Sequence, residues 1–146
     1  VKVLVQLREE VIKKILPMKG IKQVSFRRIK MIIVSATRNF ESKEQRDRAI
    51  EITADIQLAT REEEEGCISY CFAADPCDDN RIQVYELWKD EDSLVAHFKH
   101  HTYAAMVEAL NSIGIRDTEN QMYLIDKHKP VYDADGNPRE VLFAND

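Results

Sequence analysis

The chain has 146 residues, of which 44% are apolar and 32% charged, values typical of a single globular domain rather than of a disordered or membrane-embedded chain. No apolar run reaches the roughly 20 residues of a membrane span, and Glu9 and Glu10 interrupt the apolar start, so we expect no signal peptide and a cytoplasmic location. The net charge of −5 is unevenly distributed: residues 1–30 carry +7 and residues 31–146 carry −12. The acidic part argues against nucleic-acid binding, because phosphate recognition needs clustered Lys and Arg.

Residues 1–30 are predicted to form a basic N-terminal appendage. Apolar residues at helical spacing over residues 2–16, stopped by Pro17, indicate an amphipathic helix. This arm could contact RNA or a membrane surface. Docking on the acidic remainder or on a partner subunit is the simpler expectation.

A buried strand and a helix are predicted next. The β-branched run at residues 31–37 is typical of a strand, and residues 41 to about 61 have the period of a helix packed on a sheet. The predicted packing stripe is Ala49, Ile52, Ile56 and Ala59, flanked by Ile50 and Leu58. The carboxylates of residues 62–65 would oppose the helix dipole, so the helix is expected to end near Arg61 and the acidic run to be a solvated loop.

Residues 67–74 and 81–88 are predicted to be a hairpin, because a loop dense in turn formers separates two strand-like runs. Two helical pieces follow, the second over residues 102–113, and then a fourth strand over residues 118–126. The order β-α-β-β-α-β predicts a ferredoxin-like α+β domain at residues 31–126, with a four-stranded antiparallel sheet and helices on one face. Residues 127–146 are expected to be a C-terminal arm or hairpin.

The junction between the third strand and the next helix carries the most informative residues. It holds the only tryptophan, a carboxylate between apolar neighbours and three of the four histidines. The segment Glu65-Gly66-Cys67 with Tyr70, followed by Glu86, Trp88, Asp90 and His97, resembles motifs of the antibiotic biosynthesis monooxygenase superfamily over roughly residues 31–126. The resemblance implies a dimeric α+β barrel, in which the open sheet faces of two copies meet, of the quinol monooxygenase type.

The same resemblance implies a chemistry that uses no cofactor. Family members bind an electron-rich phenol or quinol, deprotonate it and let the anion reduce O₂ without metal or flavin. The predicted catalytic residues are His97, as a general acid or base, and Glu86. The predicted substrate-binding residues are Trp88, Tyr70, Tyr103, His101 and Thr37.

Each of these residues also has a structural interpretation. Trp88 is at least as plausible as a core anchor, and Glu86 between apolar neighbours must be paired, bonded or neutral, with a structural role favoured. Three histidines at i, i+3 and i+4 lack the H-E-x-x-H pattern, so no metal site is predicted, and the cysteines are expected to remain thiols. The four glycines form no nucleotide-binding motif, so no cofactor is expected.

Two other functions remain open on the sequence. The segment His101-Thr102-Tyr103 is similar to the autoinducer-processing branch, which would make the protein an isomerase or degrader of a small phosphorylated dicarbonyl signal. A haem-degrading branch is disfavoured because its members have an asparagine at the position of Thr37. The non-enzyme alternative is a dimeric small-molecule binding or stress protein, whose pocket would be filled by its own side chains.

Overall fold

The structure is a computed structural model that describes residues 30–143. Apart from Lys30, the predicted basic appendage lies outside the described residues. The elements in chain order are β1 (Ile32–Asn39), α1 (Lys43–Glu63), β2 (Cys67–Ala74), β3 (Arg81–Trp88), α2 (Glu91–His97), α3 (His101–Ile113) and β4 (Asp117–Leu124). Both hairpin strands begin and end at the predicted residues.

The four strands form one sheet in the order β2-β3-β1-β4, and every neighbouring pair is antiparallel. This order confirms the predicted ferredoxin-like α+β fold. The helices lie on one face of the sheet, where α1 packs against β2 and α3, and α2 packs against β3. We call the helix-covered side the inner face and the other side the outer face.

Strand alternation decides which side chains reach the inner face. Ile82, Val84, Glu86 and Trp88 of β3 are all buried there. In β1 the register puts Ile32, Val34, Ala36 and Arg38 on the same face. The core contains Phe72, Leu94, Met106 and Leu110 among others, and Trp88 at its centre is fully buried.

The buried side of α1 differs from the predicted apolar stripe. Its buried residues are Arg46, Ala49, Thr53, Gln57 and Thr60, whereas Leu58 is exposed and Ile52 and Ile56 are only half-buried. Two of these polar side chains find partners: Gln57 Oε1 accepts the backbone N–H of Phe72 at 2.8 Å, and the Thr53 hydroxyl donates to the carbonyl of Ala49 at 2.7 Å. Gln57 thus satisfies an amide of the edge strand β2. The buried Thr60 hydroxyl has no hydrogen-bond partner among the described residues.

The ends of the helices are fixed by short-range contacts. The Asp90 carboxylate caps α2 by accepting the N–H of Ser93 at 2.8 Å, and Gly114 with a φ of 87° ends α3. Between α1 and β2 the chain turns at Gly66, with a φ of 93°. Beyond β4, an isolated bridge between Tyr132 and Pro138 closes a turn in the predicted C-terminal arm.

Within residues 30–143, no helix combines the length and the apolar character that crossing a bilayer would require.

Candidate functional site

A row of four side chains crosses the inner face of the sheet and forms the floor of a cleft. Tyr70 on β2 lies beside Glu86 on β3, Glu86 beside Val34 on β1, and Val34 beside Met122 on β4. Because neighbouring strands lie about 4.8 Å apart, this register places one phenol and one carboxyl group side by side.

The cleft has a volume of about 610 Å³, within the range of small-molecule sites. Its helical wall consists of side chains from the end of α2 and from α3: His97, Phe98, Tyr103, Met106, Val107 and Leu110. The helices do not cover β4, whose residues are all exposed, so the cleft opens along this strand. Its polar end is formed by Arg38, Asn111, Thr118 and Asn120.

His97 is the last residue of α2, and its imidazole is held among aromatic rings. Its ring centroid lies 4.6 Å from that of Trp88, 5.4 Å from that of Tyr70 and 5.3 Å from that of Tyr103. Only 2% of the side chain is exposed. Packing on this scale fixes the orientation of the ring, so its two nitrogens have distinct surroundings.

Glu64 is the hydrogen-bond partner of His97. The two carboxylate oxygens lie 3.0 and 2.9 Å from Nδ1 of His97. An ionised carboxylate only accepts hydrogen bonds, so an ionised Glu64 favours the tautomer of a neutral ring in which Nδ1 carries the hydrogen and Nε2 keeps its lone pair. Among the described residues, His97 makes no hydrogen bond through Nε2.

The burial of Glu64 corrects the predicted solvated loop. Its side chain is 5% exposed, and it also accepts a hydrogen bond from the hydroxyl of Thr102 at the start of α3. Nδ1 of His100 lies 3.5 Å from the same carboxylate. Helix α1 ends at Glu63 rather than near Arg61, and position 64 continues the buried side of the helix at Gln57 and Thr60. That spacing was the one sequence signal that distinguished Glu64 from the adjacent glutamates.

Glu86 is hydrogen-bonded to a side chain of its own strand. Its Oε2 accepts the indole N–H of Trp88 at 3.0 Å. Burial raises the pKa of Glu86 above its ordinary value, and the nearby Glu64 adds to the rise, while the bond from Trp88 and the charges of His97 and Arg38 act against it. The carboxyl group therefore combines a fixed position with a stabilised neutral form.

Tyr70 lines the cleft with a buried phenol. Burial raises its pKa well above the ordinary value, and the neighbouring Glu86 and Glu64 raise it further, so the phenol stays protonated. Burial likewise raises the pKa of the Cys67 thiol to about 11. Cys67, Cys71 and Cys77 are all free thiols, as predicted.

Arg38 is a site residue that sequence reasoning missed. It lies on the inner face of β1, one residue beyond the predicted Thr37, and it lines the cleft. Its Nη1 donates to Thr118 Oγ1 at 2.8 Å and to Asn120 Oδ1 at 2.7 Å. The alternation of Ile32 and Ala36 toward the core was the available signal.

The predicted residues do not all meet in the cleft. Tyr70, Glu86, His97 and Tyr103 line it together. Thr37 is on the outer face, because odd-numbered residues of β1 point away from the helices. Trp88 lies beneath His97 as a core anchor, and His101 is outside the cleft with 70% of its side chain exposed.

One group outside the cleft has the composition of a metal site. The ligand atoms of Glu63, His100 and His101 lie within 4.8 Å of one another. His101 Nε2 is already 2.8 Å from Glu63 Oε2, and Nδ1 of His100 is 2.9 Å from Thr102 Oγ1. Helix α2 ends at His97 and α3 begins at His101, so His97 and His101 do not lie on one continuous helix.

Comparison with known proteins agrees with this architecture. A sequence model of the antibiotic biosynthesis monooxygenase family matches residues 31–109. An uncharacterized protein of Synechocystis is 32% identical over 62 residues, which are 42% of this chain and 42% of that relative, so the chain spans well under two thirds of it.

Solved structures show the same fold at low identity. A protein of Deinococcus radiodurans provisionally assigned as an antibiotic biosynthesis monooxygenase is 20% identical, with a TM-score of 0.62, over 70% of this chain and 99% of that one. A protein of Caulobacter crescentus with the same provisional assignment is 19% identical, with a TM-score of 0.59, over 69% and 92%. A conserved protein of Methanosarcina mazei is 23% identical, with a TM-score of 0.55, over 65% and 92%.

Proposed function

The chain belongs to the antibiotic biosynthesis monooxygenase family, and from this membership and the Glu64–His97 pair we propose that it is a monooxygenase for a small electron-rich phenol or quinol. The observation that carries the proposal is the buried imidazole at the cleft wall, with Nδ1 bonded to a carboxylate and a free Nε2. We propose further that the reaction needs no cofactor, since the sequence contains no nucleotide- or flavin-binding motif.

His97 is proposed as the general base. A neutral imidazole with Nδ1–H donated to a carboxylate is oriented to accept a proton at Nε2, and the resulting imidazolium is stabilised by Glu64. Both groups are shielded from water, so their electrostatic interaction is stronger than at the surface. The phenolic O–H of a bound substrate is the proton donor that fits this arrangement.

The phenolate then supplies the electrons. It transfers electrons to O₂, a new C–O bond forms on the ring, and the O–O bond breaks. One oxygen atom becomes a carbonyl of the quinone product. The other leaves as water with the two hydrogens that the substrate loses from O–H and C–H. The substrate thereby gives four electrons, which reduce both oxygen atoms.

Tyr70 and Glu86 are proposed to position the ring and to exchange the second proton. The protonated phenol of Tyr70 can donate a hydrogen bond to the substrate oxygen, and the raised pKa of Glu86 suits a carboxyl group that gives and takes a proton. Tyr103 and Phe98 offer aromatic surface at the cleft wall.

The alternatives have less support. The similarity to the phosphodicarbonyl branch depends partly on His101, whose side chain lies outside the cleft. A non-catalytic binding protein was expected to fill its pocket with its own side chains, whereas a cleft of about 610 Å³ is open here.

We also propose a homodimer formed through the outer face of the sheet. Ile33 lies beside Leu87 and Tyr123, and Cys71 lies beside Tyr85, so partly exposed apolar side chains form a continuous patch across the strands. A second copy of the same patch would cover it with two-fold symmetry.

Oxygen uptake tests the proposed activity. The metal-stripped protein is incubated with a panel of hydroquinones and anthrones, and uptake is compared between the wild type, His97→Gln and the control His101→Gln. We expect uptake with at least one compound, a fall of about 10²- to 10⁴-fold in His97→Gln and little change in the control. Isomerisation of a dicarbonyl without oxygen uptake would support the alternative enzyme.

A further inference from the structure

Arg38 places a positive charge in the cleft that has only neutral hydrogen-bond partners. Its Nη1 donates to the carbonyl of Thr37 at 3.1 Å, to Thr118 Oγ1 and to Asn120 Oδ1. Within residues 30–143, no carboxylate oxygen lies within ion-pairing distance of its guanidinium. Glu86 acts on it through space, without a direct bond.

The surroundings of Arg38 make this charge costly. The guanidinium is desolvated enough that burial lowers its pKa from the ordinary value, yet an arginine remains a cation. Partly buried cations are usually paired with an anion, because desolvation is otherwise uncompensated. By contrast, Arg46, Arg81 and Arg116 each have an Asp carboxylate within 4 Å.

The cleft separates this charge from the acid–base groups. In the sheet register, Glu86 lies beside Val34, and Arg38 is four residues further along the same strand. That separation is about 13 Å between backbone positions. Asn120 and Asn111 line the same end of the cleft, where their amide groups can donate hydrogen bonds.

We propose that the ligand of the cleft is an aromatic compound with a phenolic O–H at the His97 end and a carboxylate at the other end, held by Arg38. The forked guanidinium matches a carboxylate in two parallel bonds, and the neighbouring amides complete its hydrogen bonding. This inference rests on the proposed function only in placing the substrate's phenol at His97, and it adds the class of substrate.

Calorimetric titration tests the inference with two ligands of nearly equal shape. 6-Hydroxy-2-naphthoate carries a phenol and a carboxylate at opposite ends of a fused ring, and its methyl ester lacks the charge. Each is titrated into the wild type, Arg38→Gln, Arg38→Lys and the control Arg48→Gln. Arg48 is an exposed residue of α1 paired with Glu51, so its replacement changes the net charge outside the cleft.

We expect the wild type and Arg48→Gln to bind the acid at least about 10-fold more tightly than the ester, the usual value of a charged hydrogen bond. Arg38→Gln should abolish this preference, and Arg38→Lys should retain part of it. Equal binding of acid and ester by the wild type would overturn the inference and leave the proposed oxygenase standing. A preference that persists in Arg38→Gln would also overturn it. Failure of both ligands to bind would overturn it as well, whereas the proposed function fails only if the oxygen-uptake panel yields no substrate.

Discussion

The carboxylate of Glu64, just beyond the end of α1, lies 2.9 Å from Nδ1 of His97, the last residue of α2. Glu64 and His97 are 33 positions apart in sequence, and both side chains are almost completely buried. Neither group can therefore be changed alone without leaving a buried polar partner behind. For this reason His97→Ala is expected to be destabilising as well as inactive.

Glu64→Gln should lower kcat by about 10²- to 10⁴-fold on a confirmed substrate, because the amide removes the charge that orients and stabilises the imidazolium of His97. KM should change by less than about threefold, since Glu64 is not among the residues that line the cleft. The matched control is Glu63→Gln, whose partner is the exposed His101. An unchanged kcat in Glu64→Gln would show that the pair is only structural.

The stability of the fold should depend on the ionisation of Glu86. Burial raises the folded-state pKa of this carboxyl group, so folding favours its neutral form. The free energy of unfolding should then decrease as pH rises from about 4.5, the ordinary value, through the raised pKa in the fold, and change no further above it. Glu86→Gln should lack this decrease and should unfold at a higher denaturant concentration than the wild type near neutral pH. The control is Glu108→Gln at an exposed position, which should unfold at the same denaturant concentration as the wild type. Parallel pH curves for the wild type and Glu86→Gln would contradict the assignment.

Gly66→Ala should destabilise the protein by about 2 to 4 kcal/mol in urea unfolding. Gly66 has a φ of 93°, and a Cβ built there would lie 2.2 Å from Oγ and 2.7 Å from Cβ of Ser93. Gly136 has a φ of 83°, and a Cβ built there would lie within 4 Å of no described atom beyond its chain neighbours. Gly136→Ala should therefore show the smaller cost of backbone strain alone. If the two variants lose equal stability, packing of the Gly66 turn against α2 is not the cause.

Tyr85→Glu should convert the proposed dimer into a monomer, because two carboxylates would be buried where the outer faces meet. Val95→Glu is the matched control, since Val95 on α2 is exposed to the same 44% as Tyr85 but lies among the helices. Light scattering at micromolar concentration measures both. A wild-type monomer would contradict the proposed assembly directly.

The strands were predictable from sequence because their signals are local. Alternation and turn formers located β2 and β3 to the residue, and Gly114 marked the end of α3. The buried side of α1 was not predictable from hydrophobicity, since Thr53 is buried while its hydroxyl bonds within the helix to the carbonyl of Ala49, and Gln57 is buried through a bond to Phe72 that only the tertiary structure supplies. Glu64 was missed because the spacing that distinguishes it within a run of four glutamates becomes visible only once Gln57 and Thr60 are known to be buried.

Two residues predicted to bind substrate, Thr37 and His101, lie outside the cleft. Thr37 was chosen for its place in a motif, whereas the alternation of β1 turns its side chain outward and Arg38 inward. His101 was predicted to bind substrate, but the chain breaks between α2 and α3 and His101 turns toward Glu63. Tyr70, Glu86 and Tyr103 line the cleft together with His97, and the roles assigned to them stay predictions.

The most direct test of the central claim is the tautomer of His97, measured by ¹⁵N NMR of the imidazole nitrogens in histidine-labelled protein at a pH where the ring is neutral. It requires no known substrate, and the spectrum of His97→Gln identifies the His97 signals among the four histidines. We predict a hydrogen on Nδ1 and a bare Nε2, because Glu64 can only accept. A hydrogen on Nε2 with a bare Nδ1 would contradict the proposed base.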